Sequence, residues 1–182
     1  RLNALGYKDP ESALRHIESL TTGVSRRAVI QKTLLPVLLS WFADGPEPDI
    51  ALLSFRRLSD ALGSTPWFLR LLRDESAAAE LMAKLLSSSR YATDLLMSAP
   101  EAVSMLGNLE ELEPRTREQY ETEMNSVIAR HETAENIVSA ARSFRRRELL
   151  RTATADLSGK LTTEQVGIAL SNVYATVIET AL

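Results

Sequence analysis

The chain has 182 residues, 45% of them apolar and 25% charged, with a formal net charge of −3; this excludes a disordered tail and leaves one domain, or two small subdomains, able to bury roughly 70% of the unfolded surface. The absence of cysteine excludes disulfides and thiolate metal sites, and two histidines, His16 and His131, leave few ligands for a transition metal. Lys and Arg together number 21 against 24 Asp and Glu, and no apolar run approaches the roughly 18–20 residues of a membrane span, so the expected setting is a reduced cytoplasm with neither nucleic acid nor membrane as partner.

Glycines and prolines punctuate segments of helical period, and no stretch alternates as a half-buried strand would. The fold class predicted is all-α: a multi-helix bundle of about nine helices with short antiparallel connections and no sheet. The first helix covers 10–20 with Asp9 as cap, and the second 26–43 with Ser25 as cap and a bend at Pro36. Its segment Leu34, Leu35, Val37, Leu38, Leu39, Trp41, Phe42 is apolar nearly all round and should lie in the core. The third covers 50–62, with Ala51, Phe55, Leu58 and Leu62 on one stripe. Short helices follow over 66–73, 75–86, 89–97 and 100–106; Trp67, after Pro66, reads as a core anchor.

The acidic stretch Glu110, Glu111, Glu113, closed by Pro114, reads as the one real linker. A long helix starts near Arg115 with Tyr120, Met124, Val127, Ile128 and His131 on one stripe, and continues or restarts near Thr133 as far as Asp156. Thr162 opens the last helix with a capping-box partner at Gln165, and Val166, Ala169, Leu170, Val173, Val177 and Ala181 form its apolar face. The chain opens on Arg1 and ends at Leu182 inside that helical pattern, so both ends read as cuts in a longer protein.

No Cys nucleophile, His-x-x-x-His or His-Glu-x-x-His spacing, Gly-x-Ser-x-Gly elbow or Gly-rich phosphate loop occurs. No residue is therefore assigned a catalytic, cofactor-binding or metal-binding role, and His16 and His131 read as ordinary structural histidines. The carboxylate pairs Glu111/Glu113 and Glu121/Glu123 read as solvated acidic faces, because a two-carboxylate Mg²⁺ site needs a rigid strand beside a phosphate-holding turn. The densest charge feature is Arg142, Arg145, Arg146, Arg147 and Arg151, the candidate interaction surface. On a helix these point several ways, Arg145 and Arg151 each three residues from Glu148 and able to pair with it, so the segment reads as a solvated or interdomain ion-pair face, or a seat for an anionic partner. Charge reversal at Arg146 and Arg147 should then leave the fold intact.

The segments Phe55-Arg56-Arg57-Leu58-Ser59-Asp60-Ala61-Leu62-Gly63-Ser64-Thr65-Pro66-Trp67-Phe68-Leu69, Ser87-Ser88-Ser89-Arg90-Tyr91 and Phe144-Arg145-Arg146-Arg147-Glu148-Leu149-Leu150-Arg151, in this order and spacing, resemble the central region of bacterial glutamine synthetase adenylyltransferases. Ala43-Asp44-Gly45-Pro46 and Gly63-Ser64-Thr65-Pro66-Trp67 look most like the actinobacterial branch. The resemblance implies a parent enzyme with two nucleotidyltransferase heads. One transfers AMP from ATP, with Mg²⁺, to a tyrosine of glutamine synthetase; the other removes it by phosphorolysis, under the influence of glutamine and a P-II signalling protein. Each head of that family carries Gly-Ser-Asp-x-Asp, which this sequence lacks, since Gly63-Ser64 runs into Thr65. The chain is therefore expected to be a non-catalytic central helical segment, without a cofactor of its own. Residues 1–83 would follow the N-terminal half of the parent, and 84–182 would lead into the C-terminal adenylylating head. The alternative is a free-standing helical adaptor, or a sensor domain, binding a partner protein or glutamine.

Overall fold

A computed structural model describes residues 2–113 and 115–181, apart from the side chains of Leu109 and Ala181. Among the described residues the chain is all-α, with nine α-helices, three 3-10 segments and no strand. It divides into two compact units, Arg1–Asn108 and Leu109–Leu182.

In the first unit, proline or a capping hydroxyl or carboxylate opens most helices. Asp9 accepts the Ser12 N–H (3.0 Å) at the start of α1 (Pro10–Thr21), and Ser25 accepts that of Ala28 (3.1 Å) at α2 (Arg26–Ala43). Pro48 and Pro66 open α3 (Pro48–Leu62) and α4 (Pro66–Asp74); α5 (Ser76–Ser88) and α6 (Arg90–Ser98) follow. Pro100–Gly107, expected as an α-helix, is a 3-10 segment. Three residues per turn put Ala102 above Met105 and Val103 above Leu106, so all four of these buried side chains leave the backbone toward the core.

The centre of this unit is α5, whose Ala78, Ala79, Leu81, Met82, Ala83, Leu85 and Leu86 are buried. Its alanines let α2, α3, α4, α6 and the 3-10 segment pack around it. The apolar run of α2, expected in the core, places Leu35, Leu38 and Phe42 there as one buried stripe, while Val29 and Val37 are 57% and 46% exposed. Pro36 lies within α2 on its exposed side. Trp67 is half-buried, edge-on to the Phe68 ring at 6.0 Å. A buried polar link joins α2 to α3, where Gln31 Nε2 donates to Ser59 Oγ at 2.8 Å. The turn after α2 approaches α5 so closely that a Cβ on Gly45 would run into Ser87.

The Asp49 carboxylate, in the first turn of α3, accepts the backbone N–H groups of Lys8 (2.8 Å) and Asp9 (3.1 Å). This fixes the starts of α1 and α3 side by side. The two helices pack against each other. The end of α2 lies by Tyr7, whose hydroxyl donates to the Leu39 carbonyl, and its start by Asp60, which pairs with Arg27; α2 is therefore the return between them, and α1 and α3 run parallel.

In the second unit, the acidic stretch expected as a linker folds into a 3-10 segment, Leu109–Leu112, with Leu112 buried; Pro114 lies outside the described residues. The helix expected from Arg115 begins as α7 (Arg117–Ile128), since Thr116 and Gln119 form a capping box there. It breaks after Ile128, which leaves His131 exposed in the turn rather than on the Met124 stripe. The chain restarts at Thr133, which caps α8 (Ala134–Leu157). α8 ends in a Schellman motif: Lys160 N–H bonds the Ala155 carbonyl (2.9 Å), Gly159 N–H that of Asp156 (2.8 Å), and Gly159 supplies the left-handed φ of 73°. Thr162 and Gln165 box the start of α9 (Thr163–Ala181) as expected. Tyr120, Met124, Ala141, Phe144 and Val173 form the core of this unit, flanked by Val127 and Val177; the Ala181 side chain and Leu182 lie outside the described residues.

Candidate functional site

The helical register of α8 separates the five arginines into two groups. Arg142, Arg145 and Arg146 stand at i, i+3 and i+4 on one side, and Arg147 and Arg151, four apart, on another. Among the described residues, only the second group is paired with carboxylates. Arg151 Nε donates to Glu148 Oε2 at 2.9 Å, and Arg147 Nε to Glu148 Oε1 at 3.0 Å. The Glu148 side chain is 0% exposed and that of Arg151 4%. Arg147 also reaches Glu123 on α7, whose other oxygen accepts from Arg115 Nη1 at 2.6 Å. Its guanidinium lies 5.5 Å from the centre of the Phe144 ring, which meets Tyr120 edge-on at 5.3 Å.

Three expectations are corrected here. Arg145 does not pair with Glu148, whose two oxygens are taken by Arg147 and Arg151. Arg151 and Glu148 belong to no solvated face; they are a buried pair. Glu123 is not a free surface charge either, since it bridges Arg115 and Arg147. No local spacing could have revealed that bridge, because Glu123 and Arg147 are 24 residues apart.

The electrostatics follow from these partners. Burial pulls the pKa of Arg147 down, and the bonds to Glu123 and Glu148 outweigh it, leaving a net rise. Burial, then the nearby Glu148 charge, pushes the Tyr120 phenol up to about 12; its hydroxyl is enclosed beside that carboxylate without a well-formed hydrogen bond. Arg117 ties α7 to α9 through Glu179 and holds Glu121 at 2.7 Å. The network binds helices together and presents neither a nucleophile nor a base.

Arg142, Arg145 and Arg146 make no carboxylate ion pair among the described residues; Arg146 donates only to Ser143 Oγ (3.2 Å). The two groups therefore answer differently to mutation. Arg146→Glu is expected to change the melting temperature by no more than about 2 °C, whereas Arg147→Glu, which sets a third carboxylate beside Glu123 and Glu148, lowers it by roughly 5 °C or more, as read by circular dichroism on heating. Equal effects would show that the network does not hold unit 2 together.

In the first unit His16 is half-buried on α1, its Nδ1 enclosed without a partner. Among the described residues no group of three or more His, Cys, Asp or Glu stands close enough to hold a metal ion, and no helix is long and apolar enough to cross a membrane.

The family model for glutamate-ammonia ligase adenylyltransferase matches residues 79–182. A Streptomyces coelicolor protein named bifunctional glutamine synthetase adenylyltransferase/adenylyl-removing enzyme is 58% identical over 166 residues, which is 90% of this chain and 17% of that protein. Proteins of the same name from Cutibacterium acnes and Corynebacterium glutamicum are 47% and 40% identical over alignments of 182 and 185 residues that cover 100% of this chain and 18% of theirs. The chain thus spans less than a fifth of the length of these relatives.

Proposed function

Since the chain belongs to the glutamate-ammonia ligase adenylyltransferase family, we propose that it serves as the non-catalytic helical centre of a bifunctional enzyme that adenylylates and deadenylylates glutamine synthetase. The observation that carries this reading is the small share of each relative that the chain covers, together with the absence of Gly-Ser-Asp-x-Asp from its sequence. Catalysis, ATP and Mg²⁺ belong on this reading to heads elsewhere in the parent chain, in the cytoplasm, with a P-II signalling protein as regulator. Residues 1–83 continue the N-terminal half and 84–182 lead into the adenylylating head; that division passes through α5, so the central helix of the first unit spans both parts. Arg142, Arg145 and Arg146 are the guanidiniums of α8 left to meet another domain.

The test uses glutamine synthetase with radiolabelled ATP and Mg²⁺. The 182-residue chain alone is expected to leave the synthetase unlabelled, while the complete enzyme containing it labels the synthetase. Label above a no-protein control with the chain alone would overturn the non-catalytic reading, and a complete enzyme that transfers no AMP would overturn the family's activity as its function.

A further inference from the structure

Asp49 holds the N–H groups of Lys8 and Asp9, so residues 9 and 49 are level on neighbouring, parallel helices. Seven residues along each helix, about 10.5 Å, bring His16 on α1 level with Arg56 on α3. Arg15 and Arg57 flank them. Two nitrogens at this seam, His16 Nδ1 and Arg56 Nε, are removed from solvent and have no hydrogen-bond partner. Buried donors without acceptors are uncommon and costly, and here both belong to cationic or cationisable groups.

We propose that the α1–α3 seam is an oxyanion site, in which His16 Nδ1 and the Arg56 guanidinium receive a phosphate group, with Arg15 and Arg57 adding charge at the rim. A phosphate dianion suits this arrangement better than a carboxylate. A single guanidinium fork satisfies the two oxygens and one charge of a carboxylate, whereas an imidazole and three guanidiniums match a dianion with three or four acceptor oxygens. Arg56 and Arg57 form no ion pair among the described residues, so neither charge is already neutralised. The charged groups that act on His16 are Arg56, Arg15 and Arg57, against one carboxylate, Asp9, which already accepts the Ser12 N–H.

The seam disfavours the imidazolium. Burial first, then Arg56, lowers the His16 pKa below its ordinary 6.5. A bound dianion reverses that sign and draws a proton onto His16.

The chain has two histidines, so two imidazole resonances report the test, and the exposed His131 serves as internal reference. Inorganic phosphate, with sodium sulfate as a tetrahedral dianion that does not titrate near neutral pH, is added to the 182-residue chain. Sodium chloride matches the ionic strength. His16 is expected to shift saturably with both dianions and its titration midpoint to rise by about one unit, while His131 follows ionic strength alone. Arg56→Gln weakens the apparent affinity at least about tenfold. Should that variant fail to fold, Arg57→Gln, at an exposed position, is expected to weaken binding severalfold. A His16 response no larger than that of His131, or the same in chloride, overturns the site; so does a response unchanged in the Arg57 variant.

Discussion

Replacing Glu148 by leucine is expected to destabilise the second unit by about 3–5 kcal/mol, the range for stranding one partner of a buried ion pair. Glu148 is wholly buried, and both of its oxygens accept from guanidiniums. Arg151, only 4% exposed, would keep its charge with nothing opposite it, whereas Arg147 still reaches Glu123. At this chain length the loss corresponds to a fall in melting temperature of roughly 6–20 °C. Two companion variants locate the cause. Glu148→Gln keeps the shape and removes the charge, and should recover part of the loss. Glu148→Leu combined with Arg151→Met removes both charges and should recover most of it, because an apolar pair of similar volume is often as stable as the ions it replaces. A single Glu148→Leu variant that melts within about 1 °C of the parent would show that Arg151 escapes to water.

Phe55→Ala is expected to cost about 3–5 kcal/mol by removing an aromatic side chain from the first unit's core. Phe55 is fully buried and lies against Phe42, with ring centres 6.0 Å apart and planes inclined at 51°. Phe55→Leu, which refills most of the volume, should cost only about 1–1.5 kcal/mol. Chemical denaturation checks both; a loss below about 1 kcal/mol for Phe55→Ala would mean that α2 and α3 collapse onto the space.

Helix order was legible because the residues that start and stop these helices act locally. Asp9, Ser25, Pro66, Ser89 and Thr162 each satisfy or dispense with backbone donors a few residues away, so sequence spacing suffices. Tertiary choices were not legible. Leu34 to Phe42 is the most apolar run, yet α5 with its alanines takes the centre, since close approach depends on what every neighbour presents. The 3-10 winding of Pro100–Gly107 follows from its burial, which local pattern does not encode. In the α8 cluster, the Arg151 partner was within reach of helical spacing and was found; the Glu123 bridge was not. That His16 and Arg56 stand level depends on the register set by Asp49, forty residues from the N–H it accepts.

The proline inside α2 shows how narrowly that helix is placed. Without an N–H, Pro36 leaves the Lys32 carbonyl, four residues back, with no partner in the helix. Lys32 and Pro36 both face outward, where water can hydrate the orphaned oxygen at little cost. One position earlier, at Leu35, a proline would orphan the carbonyl of Gln31 instead, whose residue is completely buried. Dehydrating that oxygen would cost about 1–3 kcal/mol on top of the lost packing. The residue most disruptive to a helix is thus tolerated at 36 because solvent, rather than protein, completes the backbone there.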